Sequence, residues 1–124
     1  MKIRRFEEIE AWQEARKLVK LVYEAINKSD RFKKDYRLRD QATNAAVSAM
    51  SNIAEGFSRK SNKEFIQFLY ISKSSSAEVQ SIFYVALDLD YIDQQIFQTI
   101  YNQADKVSQL DSGFIKYLST QKRN

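Results

Sequence analysis

Apolar residues recur along the chain mostly at spacings of three and four, the signature of helices with one buried face. Ile9, Trp12, Ala15, Val19, Val22, Tyr23 and Ile26 mark a first helix from about Phe6 to Asn27. Glu10, Glu14, Lys17, Lys20 and Glu24 fall on its other side, where Glu14 with Lys17 and Lys20 with Glu24 can pair. Residues 27–35 carry no helical stripe and read as a connection that ends on Asp35, a good N-cap. Leu38, Ala42, Ala45, Ala46, Ala49 and Ile53 mark a second helix from about Tyr36 to Glu55, and Gly56 stands where a left-handed C′ residue would end it. Ser61-Asn62-Lys63-Glu64 is a capping box that opens a third helix to about Leu89. After Leu87–Asp93, with Asp93 as a cap, Ile96, Ile100, Ala104, Val107, Leu110, Phe114 and Leu118 define a fourth helix, about 94–119, which Ser112-Gly113 would kink or shorten.

The second helix is rich in small residues and the third carries Ser72-Lys73-Ser74-Ser75-Ser76. Folding the chain back at about Arg59 sets Ala46 near Ser72 and Ala42 near Ser76, so the serine run reads as close helix packing. A second stripe on the third helix, Ile66, Tyr70, Ala77 and Tyr84, lies within about 40° at 100° per residue. The unbroken apolar run Ile82–Leu87 also wraps that helix. A helix buried on two sides needs such a surface, so the stripe reads as an oligomer interface. Short connections force antiparallel neighbours, and the fold expected is all-α: one domain, residues 1–124, an antiparallel up-down-up-down four-helix bundle.

Composition narrows the chemistry. The 124 residues include no proline, two glycines, no histidine and no cysteine. That excludes disulfides, thiol chemistry, imidazole-dependent triads and metal sites built on His or Cys. A di-metal helical bundle would need Glu-x-x-His, and Glu55, Glu64 and Glu78 are not brought together by helical spacing. The expectation is a protein with no enzyme activity, no cofactor and no metal. Residues 1–8 turn acidic where a signal peptide would turn apolar, and no apolar run reaches the ~18 residues of a membrane span. The cytoplasm, with no membrane association, is the expected setting.

The net charge is +4. The expected topology gathers Lys2, Arg4, Arg5, Arg59, Lys60, Lys63, Lys122 and Arg123 at one end, against Glu7, Glu8, Glu55 and Glu64. The other end sets Lys28, Arg31, Lys33, Lys34, Arg37 and Arg39 against Asp30, Asp35, Asp88, Asp90 and Asp93, with salt bridges expected between the two connections there. The first end is therefore the candidate site for RNA or DNA, through phosphates and with little base selectivity. The competing expectation is an oligomeric scaffold that binds a protein partner and no nucleic acid.

Asn52-Ile53-Ala54-Glu55-Gly56, followed by Ser58-Arg59-Lys60-Ser61, Glu64-Phe65 and Phe68-Leu69, resembles the 23S rRNA intervening-sequence proteins, also called the four-helix-bundle protein family. Phe6, Trp12-Gln13, Ala15, Leu18 and Ser75-Ser76-Ala77-Glu78-Val79 fit the same pattern, which covers nearly the whole chain. The resemblance implies a ring-shaped homopentamer. It extends to the accessory protein of diversity-generating retroelements, which implies a nucleic-acid partner. Two features depart from the family: Asn44 stands where a basic residue is usual, and Phe32-Lys33-Lys34 occupies a connection that usually holds a proline. For Glu55 and Gly56 the residues themselves point to helix-end roles: Gly56 as the terminator, Glu55 as a partner for Arg59 or for backbone donors.

Overall fold

The computed structural model describes residues 2–121. A 3₁₀ turn at Phe6–Glu8 precedes five helices: α1 (Glu10–Asn27), α2 (Asp30–Lys34), α3 (Tyr36–Phe57), α4 (Asn62–Asp88) and α5 (Gln94–Ser119). Among the described residues there is no strand. α3 packs on α4 and α4 on α5, while α1 touches both α3 and α5. One apolar core, from Ile9 and Leu18 to Ile115 and Leu118, runs between them.

Three of the expected caps form. Asp35 accepts from the Leu38 N–H at 3.2 Å, Ser61 from Glu64 at 3.2 Å and Asp93 from Ile96 at 2.8 Å. Each satisfies a backbone donor that the first helical turn leaves free. The first helix begins later than expected, at Glu10, because Phe6–Glu8 forms a separate turn. The first connection is not structureless either. Ser29 caps the short α2, which drives Phe32 fully into the core against Phe83 and Tyr91.

Gly56 does not end its helix. It lies within α3, is buried, and has no positive φ. Its role is space: an added Cβ would come within 2.7 Å of Phe65 Cδ1 and 2.8 Å of Phe68 Cβ. The left-handed residue is instead Asp90, at φ 59°. There Tyr91 N–H bonds to Ala86 O and Asp90 N–H to Leu87 O, the paired bonds of a Schellman ending of α4. Gly113 does not end α5 early; the helix continues to Ser119.

The small residues do bring α3 and α4 together, in a register about one turn away from the expected one. Ser48 and Ser75 share a hydrogen bond of 2.8 Å, and Ser72 Oγ lies 2.7 Å from Ala49 O. The chain therefore folds back nearer Ser61 than Arg59. Ser72 Oγ also lies 2.6 Å from Asp111 Oδ2, so this level joins three helices. Gln80 donates to Tyr101 O and Tyr84 packs on Phe97 further along the α4–α5 seam. In each seam, residue numbers rise on one helix as they fall on its neighbour.

On α1 the buried face is rotated from the expected one. Tyr23 is exposed and Trp12 half-buried, while Glu14 is only 6% exposed. Glu14 is the polar hub of the α1–α5 seam. Gln103 Nε2 donates to its Oε1 (2.9 Å) and to its backbone O (2.8 Å). Lys17 and Lys106 stand 3.1 and 3.5 Å from its carboxylate. The Gln103 bond, opposed by burial and helped by both lysines, holds this carboxyl below its ordinary value.

This packing can be tested by stability measurements. Gly56→Ala overpacks the α3–α4 turn and should cost about 1–3 kcal/mol in denaturant unfolding. Gly113→Ala, which meets nothing within 4 Å, should gain about 0.5–1 kcal/mol. Glu14→Ala should cost about 1.5–3 kcal/mol at neutral pH by removing charge-assisted bonds. Because the folded carboxyl titrates below the ordinary 4.5, Glu14 stabilises the fold above that value. That contribution fades as pH falls through the depressed folded value, so the gap between wild type and Glu14→Gln should close in acid.

Candidate nucleic-acid interface

The cations of the candidate site are carried by three segments held together by apolar contacts. A run of ring contacts, Phe57 to Phe65 at 6.2 Å, Phe65 to Phe114 at 5.1 Å and Phe114 to Tyr117 at 6.2 Å, ties the α3–α4 turn to the last turns of α5. Ile3 and Ile9 share a groove with Gly113 and Phe114, which brings in the N-terminal segment. Lys2, Arg4, Arg5, Arg59, Lys60 and Lys63 therefore lie at one end of the molecule. Lys122 and Arg123 lie outside the described residues.

Not all of these cations are equally available. Arg5 bonds to Glu7 at 2.9 Å, which holds the Glu7 carboxyl below its ordinary value. Arg59 is fixed twice: its Nη2 is 2.7 Å from Glu55 Oε2 and its guanidinium lies 4.7 Å from the centre of the Phe68 ring. Lys2, Arg4, Lys60 and Lys63 are exposed and, among the described residues, form no ion pair. Glu8 accepts from the Arg4 backbone N–H at 3.2 Å, leaving the guanidinium outside that bond.

The Asn52–Gly56 motif lies beside this end and is engaged in packing. Asn52 Nδ2 donates to Ser48 O and to Ser48 Oγ, both at 2.9 Å, and so supports the Ser48–Ser75 contact. Ile53 is fully buried and Ala54 half-buried. Glu55 holds Arg59, and Gly56 makes room for Phe65 and Phe68.

At the opposite end the two connections do meet, but not through salt bridges. Among the described residues, no ion pair joins residues 28–39 to residues 88–93. Asp93 is spent as a cap; Asp35 is both a cap and the acceptor of the Tyr91 hydroxyl at 2.9 Å. Arg31 lies over the Tyr91 ring at 5.2 Å, and Arg39 pairs with Asp40. Aromatic and hydrogen-bond contacts of this kind leave no signal in a charge pattern.

The second stripe is on the surface in part. Tyr70 and Tyr84 are 53% and 51% exposed, Ala77 is exposed and Ile66 half-buried. Tyr84 also rests on Phe97 and Tyr101 of α5, at 4.7 and 6.1 Å. Ile66, Tyr70 and Lys63 share a groove of about 360 Å³ with Leu118 and Ser119. The exposed apolar surface of α4 is wider than the stripe, for Ile71 and Val85 add to it. Among the described residues, no three acidic side chains converge as a metal site requires. No described helix is long and apolar enough to cross a membrane.

No curated protein matches the chain. A solved structure with the same fold is that of a protein of unknown function from the S23 ribosomal protein family of Bacteroides thetaiotaomicron. It is 22% identical, with a TM-score of 0.71 over 86% of this chain and 94% of that one. The family model described as 23S rRNA-intervening sequence protein matches residues 7–113, and with the Asn52–Gly56 motif inside that span the chain belongs to this family.

Proposed function

We propose that this chain is a non-enzymatic, self-associating, cytoplasmic protein that binds nucleic acid, RNA or DNA, through phosphates. In this reading the four long helices form an antiparallel up-down-up-down bundle, supported by the closed set of contacts α1–α3, α3–α4, α4–α5 and α5–α1. One observation carries the binding: Lys2, Arg4, Lys60 and Lys63 share one end and have no acidic partner among the described residues. Cations without partners have counterions to exchange for phosphates, whereas Arg5 and Arg59 would first have to surrender a carboxylate. The family description names ribosomal RNA, which supports a nucleic-acid partner. The Ile66, Tyr70, Ala77 and Tyr84 stripe serves self-association. In the ring-shaped pentamer that the resemblance implies, the basic end would repeat around one rim and gain avidity for a long polyanion.

The exposed apolar width of α4 favours a second reading, an oligomeric scaffold for a protein partner. One titration separates the two. Labelled structured RNA and duplex DNA are titrated with the folded protein at several salt concentrations. Binding should weaken steeply with salt, and Lys60→Glu with Lys63→Glu should lower the slope of log K against log salt by about 1.4–1.8. Lys33→Glu with Lys34→Glu should change it less. Equal losses would assign binding to overall charge and not to this end. No binding at low salt by a folded protein would leave the scaffold reading.

A further inference from the structure

We infer that Asp111 is a buried proton-binding site, and that its proton decides whether Ser72 can tie α3 to α4. The argument is a count of hydrogens. Ser72 Oγ lies 2.7 Å from the Ala49 carbonyl and 2.6 Å from Asp111 Oδ2. Both are hydrogen-bond distances, but a serine hydroxyl has one proton to give. An ionised Asp111 is an acceptor only, so one of the two contacts would be a bare approach of two oxygens. A neutral Asp111 removes the conflict: it donates to Ser72 Oγ, and Ser72 donates to Ala49 O.

The surroundings agree with the count. Asp111 is 0% exposed, and its Oδ1 is buried with no partner among the described residues. An unpaired neutral carbonyl oxygen is far cheaper to bury than an unpaired carboxylate. Ser76 cannot help, because its hydroxyl proton goes to Ser72 O at 3.1 Å. On α4, Lys73 favours the ionised form through its field but makes no ion pair among the described residues. From α3 the partner is the neutral Ala49 carbonyl. The buried acid of α1, Glu14, is engaged with Gln103, eight residues or about 12 Å away along α5. Burial, opposed by the Ser72 bond and Lys73, pushes the Asp111 carboxyl from 3.8 up to about 7.

Loss of the proton has a defined consequence. The carboxylate is the stronger acceptor and takes the Ser72 proton, so Ala49 O loses its bond from α4. Since the folded value lies above the unfolded one, folding takes up a proton. This stabilisation is complete below about 3.8 and is lost as pH rises to about 7.

Carboxyl-carbon NMR of the full chain tests this, with the signal assigned by through-bond correlation to the Asp111 backbone, so no variant is required. The signal should stay protonated at pH 5 and titrate near 7, as an acid about a thousandfold weaker than ordinary aspartate. Denaturation midpoints should fall for wild type from pH 5 to 8, while D111N stays level. An Asp111 carboxyl ionised at pH 5 in the folded protein would overturn the inference. So would a D111N midpoint that follows wild type across that range.

Discussion

The close approach of α3 and α4 is the constraint on which the rest depends. Ala42, Ala45, Ala46 and Ala49 of α3 and Ser72, Ser75 and Ser76 of α4 are all buried, and Gly56 sits under Phe65 and Phe68. Side chains this small let two backbones come near enough for side-chain hydroxyls to reach across. That proximity puts Ser72 Oγ on the Ala49 carbonyl and Ser75 on Ser48. It also sets where α4 presents its outward face, and hence which residues are left for solvent or a second subunit. A larger residue anywhere along the seam would alter the core, the polar contacts and the surface together.

Two buried acids show how the core meets the cost of polar groups in opposite ways. Glu14 lies at the edge of the α1–α5 seam, where a side-chain amide and two lysines from the surface can reach it. It stays ionised. Asp111 lies at the crossing of three helices, with one serine hydroxyl for a partner. Among the described residues no cation pairs with it and Lys73 acts only through its field, so the same functional group is driven toward its neutral form. Position in the bundle decides the protonation state, through the partners that burial leaves within reach.

This contrast also explains how far the sequence could be read. Helix periodicity, the caps at Asp35, Ser61 and Asp93 and the small-residue patch are local signals, and they correspond to what the structure holds. Glu14 reads as a surface residue because a hydrophobic period assigns every acid to solvent; only a partner from another helix reverses that. Gly56 read as a helix terminator because glycine at a helix end usually supplies a left-handed turn. The competing use, room for an aromatic ring from the next helix, has no signature within its own segment. Asp90 takes the left-handed position in a chain whose two glycines are placed elsewhere. Phe32 was lost in a basic run, where one apolar residue shows no period. The exposed charges at the candidate interface were legible as a cluster. Which of them are already held, as Arg59 is by Glu55 and Phe68, was not.

That last distinction changes how the family motif bears on function. Asn52, Ile53, Glu55 and Gly56 each have a structural occupation: buttressing Ser48, filling the core, fixing Arg59 and admitting two phenylalanines. The most recognisable stretch of the chain is thus explained by the seam it builds. Arg59 belongs to the same construction, since its guanidinium closes the turn between Glu55 and Phe68. The motif shapes the end of the molecule, and the lysines that follow it at 60 and 63 stand exposed there, outside the packing that occupies Glu55, Gly56 and Arg59.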